Sequence, residues 1–308
     1  MKIKNIFGFH AWIFASVWLL LFMVGKSKLF RDPGSFFHTV IGEHILDTGH
    51  LIYWDSFSFT RFGEPWIARQ WLGECIMAAT QRLAGLDGLL IATVSLIALI
   101  YAYLALRIER SGMNLALGSF ILALSLAASS HHFHVRPHIS TMFFITIVYS
   151  RLCDVESGRK SISTLLWLIP VFVIWSNIHD GALGGLGTVF IAAIGWTLAG
   201  LMKDTTPFNN NQSLLFLLSI VLLCFAAPLF NPYGFKLPEM WLSIMGSRAI
   251  SQLIQEHASV LTLLYYGETS SYNTIALLLC FGLFYTALLA GVDRKDQRVI
   301  WYIPLIWF

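Results

Sequence analysis

The sequence predicts an all-α protein, a polytopic transmembrane helical bundle of about 8–9 spans. Its long first extracytoplasmic loop is expected to contain short interfacial helices. Three observations lead there. The 308 residues are 56% hydrophobic and only 12% charged, with a mean hydropathy of +0.68, whereas soluble domains average about 25% charged residues. The apolar residues gather into runs close to the ~20 residues that a bilayer requires. Ionisable side chains concentrate in one stretch, residues 26–74, which holds Asp32, His38, Glu43, His44, Asp47, His50, Asp55, Glu64, Arg69 and Glu74. A membrane chain that gathers such groups beside its first span does chemistry, or binds something charged, at that face.

Taken in order, the elements justify that reading. Lys2 and Lys4 precede the apolar run 11–25, and no A-x-A site follows it. This is the pattern of an uncleaved signal-anchor helix whose N-terminus is cytoplasmic. Seven more apolar runs follow, near 88–106, 113–130, 139–153, 162–178, 182–202, 213–230 and 272–292. A ninth, 299–308, is too short to span comfortably, and one reading of it is a C-terminally incomplete chain. Residues 1–308 are read as a single transmembrane domain. Residues 26–87 form its first long extracytoplasmic loop and 231–271 its second. The patches 36–46 and 71–83 suit short helices lying on the membrane surface. GALGGLG (181–187) has a small-xxx-small spacing that close helix packing explains.

Charge orients the bundle. Short loops hold Arg107 and Arg110; Arg151, Arg159 and Lys160; Lys203; and Arg294, Lys295 and Arg298. With Lys2 and Lys4 these mark the cytoplasmic side. Of the 10 histidines only His10 falls near that side. Function is therefore expected on the extracytoplasmic face of the cell inner membrane. The net charge of +3 gives no case for nucleic-acid binding. The four cysteines lack CxxC spacing and make neither a disulfide framework nor a zinc site.

Four constellations stand out. Asp32, in RDPGSFFH, is either a surface partner of Arg31 or a general base or metal ligand at the membrane edge. HHFHVRPH (131–138) joins two spans over a short turn. Arg136 there suits a phosphate, because its fork makes two charge-assisted hydrogen bonds. The histidines suit phosphate oxygens or a metal, although no carboxylate or cysteine adjoins them. SNIHDG (176–181) offers Asn177, His179 and Asp180 at a helix end. Either Asn177 or Asp180 caps the helix, or the three share a polar cavity with the histidine turn. NPYG (231–234) is first a turn. Glu256 and His257 lie in the second long loop. Trp12, Trp18, Trp54, Trp66 and Trp71 read as an interfacial belt or as loop packing.

These segments together resemble the C-type glycosyltransferase superfamily of bacterial membrane proteins, relatives of the dolichyl-phosphate-mannose-protein mannosyltransferases, within a subfamily to which no substrate is assigned. The matching elements are Asp32 with Phe36, Phe37 and His38; Gly42 to Gly49; Asp55 to Thr60; Pro65-Trp66; Trp71 to Glu74; Arg136-Pro137; Trp175 to His179; and NPYG. They cover roughly residues 10–260. The resemblance implies transfer of a sugar from a polyprenyl-phosphate donor to an acceptor at the extracytoplasmic face. It implies Asp32 as the catalytic base. It also implies substrate binding by Arg136, His38, Arg69, His134, His138, Asn177, His179 and Glu256. The expected partners are a polyprenyl-phosphate-linked sugar, membrane lipid and other subunits of a membrane-protein complex, and a divalent metal stays open as cofactor. One departure matters: many relatives carry a second acid where this chain has Gly34. The alternative is a non-catalytic membrane subunit or binding protein that keeps this fold and holds a metal or cofactor through its histidine cluster. A transporter is disfavoured, because the spans carry almost no ionisable residues mid-helix.

Overall fold

The computed structural model describes residues 8–202, 206–208, 210–247, 271–292 and 299–307. Among these the regular elements are all helical, and one isolated β-bridge, Trp54 with Pro65, interrupts them. The chain divides into two compact units, Met1–Phe143 and Phe144–Phe308.

The first unit begins with α1 (Phe9–Leu29), which includes a π-helical turn at Leu21–Gly25. Four residues, Phe30 to Pro33, lead to α2 (Gly34–Thr48). A looped segment then precedes α3 (Trp71–Ser111) and α4 (Leu115–Ser129). The 3-10 turn Ser130–His132 and the start of α5 (Ile139–Glu156) follow. Within α3, Gly85 has φ 65° and ψ −161°, which only glycine adopts without strain. This kink separates an amphipathic first part from the apolar second part. The surface helix expected over 71–83 and the span expected over 88–106 are therefore two arms of one bent helix.

Val17, Leu29, Met77, Leu89, Val94, Ile97, Tyr101, Leu122, Phe133 and Val135 form the core of this unit. Three contacts set the direction of its helices. At one end His10 Nδ1 lies 2.9 Å from Glu109 Oε2. Midway, Trp18 Nε1 donates to Ser95 Oγ at 3.0 Å. At the other end Val135 N donates to Leu29 O at 2.9 Å. The start of α1 and the end of α3 thus share one end of the unit, and the 131–138 turn shares the opposite end with the exit of α1. That alternation is the one expected from the basic loops.

The second unit holds the 3-10 turn Ile162–Trp167, α6 (Leu168–Ile178), α7 (Ala182–Leu201), α8 (Asn211–Ala226), α9 (Lys236–Gly246) and α10 (Ser271–Val292). The turn Val299–Tyr302 and α11 (Ile303–Trp307) follow. Its core is built on Phe172, Trp175, Leu186, Trp196, Leu217, Ile220, Leu237 and Trp241. A Cβ on Gly185 would meet the Trp175 ring at 2.2 Å, so the glycine run at the start of α7 serves close packing against α6, as expected. Glu156 closes α5 by accepting hydrogen bonds from Trp196 Nε1 at 2.9 Å and Val299 N at 2.8 Å. Tyr149 OH donates to Ile300 O at 2.9 Å. The last apolar run is therefore tied down as short helical turns.

All eight longer apolar runs are helical. Among the described residues five helices are long and apolar enough to cross a membrane: Phe9–Leu29, Trp71–Ser111, Leu115–His132, Ala182–Leu201 and Asn211–Leu229. Two further apolar segments fall short for local reasons. Ile162–Ile178 is split between 3-10 and α geometry, and α5 carries Arg151, Asp154 and Glu156 in its last turns. The outward faces of the long helices are apolar, with Met23, Leu99, Phe120, Leu198 and Leu222 exposed. A helix that is apolar both inside and outside is stable where its surroundings are lipid.

Candidate functional site

The site candidates of the first unit gather where α1 ends. In the sequence Arg31-Asp32-Pro33-Gly34, proline fixes φ near −62° and α2 starts immediately after it. Asp32 Oδ1 accepts from Gly34 N at 2.7 Å, an Asx-type turn that faces the carboxylate toward the bend. Asp32 Oδ2 accepts from Arg136 Nη1 at 2.6 Å, and both side chains are about one-fifth exposed. The partner is thus Arg136 in the distant histidine turn, and not the sequence neighbour Arg31. The turn is held in place because Phe133 and Val135 are buried while Arg136 between Val135 and Pro137 stays partly exposed. Burial alone would raise the Asp32 pKa. The Gly34 N–H, the Arg136 guanidinium and the charge of His134 outweigh it and hold the carboxyl below the usual carboxylate range. Asp32 is consequently a stable anion and, while paired, a weak proton acceptor.

Gly34 has a steric role here. A Cβ at this position would lie 3.0 Å from Asp32 Oδ1 and 3.2 Å from Arg136 Nε. The space that a side chain at this position would need is taken by the Asp32 carboxylate and the guanidinium lying over the turn.

The histidine turn is heterogeneous. His131 and His132 are exposed, with ring centroids 5.3 Å apart. His134 and His138 are half-buried at 6.1 Å. His138 Nε2 is 2.5 Å from His132 O, which fastens the turn. Among the described residues no three His, Cys, Asp or Glu side chains gather closely enough to hold a metal ion. Arg69 is half-buried just before α3.

His38 lies one turn beyond Gly34 on α2, on the buried face formed by Ser35, His38, Thr39, Gly42 and Ile45. Its Nδ1 lies 2.9 Å from Glu74 Oε1 on α3, and the two side chains are 11% and 3% exposed. A charged group this deep needs such a partner. Glu74 was named in the ionisable stretch and in the Trp71 to Glu74 element, but no site role was assigned to it from the sequence. Its signal was present in the buried spacing Gly73, Glu74, Met77, Ala78 along α3. Gly42 makes the pair reachable, since a Cβ there would fall 2.0 Å from the Glu74 carbonyl oxygen. The two helices touch at backbone distance.

In the second unit the polar end of α6 is knitted locally. Asn177 is buried, and its amide donates to Val173 O at 2.7 Å and to Phe230 O at 3.0 Å. Asp180 accepts from Trp241 Nε1 at 2.7 Å. Gly181 N donates to His179 Nδ1 at 2.9 Å. His179 is the C-cap residue of α6, and its ring accepts from the first N–H beyond Asp180 in the turn to α7. Asn177 instead braces α6 to the segment before NPYG. That motif is the turn it was read to be, with Asn231 bonding both Pro228 O and Gly234 O. Glu256 and His257 lie outside the described residues, as do Lys203, Arg294, Lys295 and Arg298.

These elements define an all-helical membrane protein with an Asp–Arg ion pair and a buried His–Glu pair at one end of its first unit. No family model, characterised protein or solved structure matches the chain.

Proposed function

We propose that this chain is an integral membrane glycosyltransferase that moves a sugar from a polyprenyl-phosphate donor to an acceptor at the extracytoplasmic face of the inner membrane. In this reading the shorter apolar helices also cross, giving eight to nine spans. The observation that carries it is the Asp32–Arg136 pair. Two residues from separate motifs of the superfamily pattern, one an acid and one a phosphate-type cation, meet where a lipid-linked phosphate lies at the membrane edge.

The pair also suggests how the reaction proceeds. The donor phosphate competes with Asp32 for the Arg136 guanidinium. As Arg136 turns to the phosphate, Asp32 loses its main cationic partner and becomes more basic. The acceptor oxygen then attacks the anomeric carbon while its proton passes to Asp32. The carbon–oxygen bond to phosphate breaks, and its electron pair stays on the phosphate oxygen, stabilised by Arg136. A single displacement inverts the anomeric carbon. His134, beside the pair, and Arg69 are the further groups assigned to the donor.

The second reading is a non-catalytic subunit of a membrane complex. The low basicity of paired Asp32 and the occupied position at Gly34 favour it. Its metal-binding version lacks a donor set among the described residues.

The test is binding and transfer with polyprenyl-phosphate sugars on purified protein in lipid nanodiscs. Asp32→Asn should lower turnover far more than donor binding. Arg136→Lys keeps the charge but loses the fork, and should weaken both. Wild-type transfer by Asp32→Asn removes the base assignment, and absence of any donor binding leaves the subunit reading.

A further inference from the structure

The segment between α2 and α3 is a built hairpin, and its tip has no role in the site above. Trp54 and Pro65 form the bridge, Asp55 N donates to Glu64 O at 2.8 Å, and Trp66 N donates to Tyr53 O at 3.0 Å. Asp55 organises the bend. Its carboxylate accepts from Phe57 N, Ser58 N and Ser58 Oγ at 2.8, 2.8 and 2.5 Å. The Ser58 hydroxyl and these two N–H groups hold its pKa below the usual range. Gly63 N and Arg61 N are also bonded within the hairpin, to Asp55 O and Ser58 Oγ. This internally bonded turn presents Phe59, 99% exposed, and Phe62, 74% exposed, at its tip.

We infer that Phe59 and Phe62 anchor this hairpin in the lipid interface of the leaflet into which the first span emerges. Three observations name lipid as the occupant. First, the aromatic surface is continuous with the end of the span. Phe30, just past α1, stacks on Phe36 at 6.1 Å, while Phe37, Phe57 and Trp66 follow in edge contacts of 5.8 and 6.1 Å. Phe36, Phe37 and Val40 leave the outer face of α2 apolar next to that end. Second, the tether is short. The tip lies within roughly 20 Å of the Trp54–Pro65 bridge at about 3.3 Å per residue, so its reach is set by where α2 and α3 hold that bridge. Third, the chemistry fits an interface. The exposed groups include the aromatic Tyr53, Trp54, Phe59 and Phe62, which headgroup regions favour, beside exposed Thr60, Arg61 and Glu64. The one nearby cation, Arg61, is paired with Glu64 at 2.7 Å. The N–H groups of Asp55, Phe57, Ser58, Arg61, Gly63, Glu64 and Trp66 are bonded within the hairpin, which lowers the cost of entering a poorly hydrated layer.

Nitroxide labels introduced at Phe59→Cys and, separately, Phe62→Cys in the full chain test this in phospholipid vesicles. The control is His50→Cys, an exposed site just past the far end of α2, and wild type carried through the same labelling sets the background from its four cysteines. The readout is label accessibility to oxygen, which partitions into lipid, against a water-soluble nickel chelate. Both tip sites should show an oxygen-to-nickel ratio several-fold above that at residue 50. A ratio at both tip sites equal to that at residue 50 overturns the inference. Shielding that arises only when other membrane proteins are added overturns it too, in favour of a protein partner.

Discussion

Gly42→Ala is the sharpest probe of how the first unit is assembled. The new Cβ would lie 2.0 Å from the Glu74 carbonyl oxygen, 2.4 Å from its carbon and 2.9 Å from Ala78 Cβ. The nearest of these falls about 1.4 Å short of the 3.4 Å at which ordinary contact begins. Two of the three atoms are backbone, so no rotamer relieves the overlap and α2 must move away from α3. Overpacking of this kind costs roughly 1–3 kcal/mol, and the backbone contact puts it near the upper end. The better helix propensity of alanine returns up to ~1 kcal/mol. The net loss is about 2 kcal/mol, more if the separation also opens the His38–Glu74 hydrogen bond, since bonds to charged groups contribute ~1.5–3 kcal/mol. For a unit of this size that lowers Tm by roughly 4–8 °C. The assay is helix melting followed by circular dichroism in detergent, with hydrogen exchange on residues 34–48 to locate the loosening. A variant that melts at or above the parent temperature would show that the two helices do not meet at this glycine.

Three further outcomes are expected. Gly185→Ala drives a Cβ to 2.2 Å from the Trp175 ring, whereas at Gly184 nothing lies within 4 Å; the first should destabilise by about 1–3 kcal/mol and the second should stabilise by up to ~1 kcal/mol, and equal effects in melting scans would contradict the packing described for α6 and α7. Because folding lowers the Asp32 pKa from 3.8, the pair contributes fully above the unfolded value and is lost as pH falls through the lower folded value; the Tm difference between wild type and Asp32→Asn should be flat from neutral pH down to about the unfolded value and shrink below it, and a difference that shrinks already near neutrality would rule out a depressed pKa. Glu156→Ala removes the acceptor for Trp196 Nε1 and Val299 N and should cost ~1.5–3 kcal/mol, with Glu156→Gln milder; retention of parental protease resistance at residues 299–307 by the alanine variant would deny that this carboxylate ties down the C-terminal turns.

Much of this architecture was legible in the sequence because it depends on local pattern. Apolar runs of sufficient length mark helices wherever they occur. NPYG marks a turn through residues that bond their own backbone. The glycine run opening α7 marks close packing without naming Trp175 as the neighbour. The alternation of basic loops anticipated that the start of α1 and the end of α3 lie together, as His10 and Glu109 do. Only the tertiary structure decided the pairings. Asp32 and Arg136 are 104 residues apart, and His38 and Glu74 are 36 apart. Each residue has closer charged neighbours in sequence, and Arg31 looked as good a partner for Asp32 as any. Which charges meet depends on where helices cross, and the crossing of α2 and α3 is set by one missing Cβ at Gly42. The bend at Gly85 and the role of Glu156 are hidden for the same reason. A glycine inside an apolar helix, or an acid at its end, reads alike whether it is bent, buried or free, until packing supplies its neighbours.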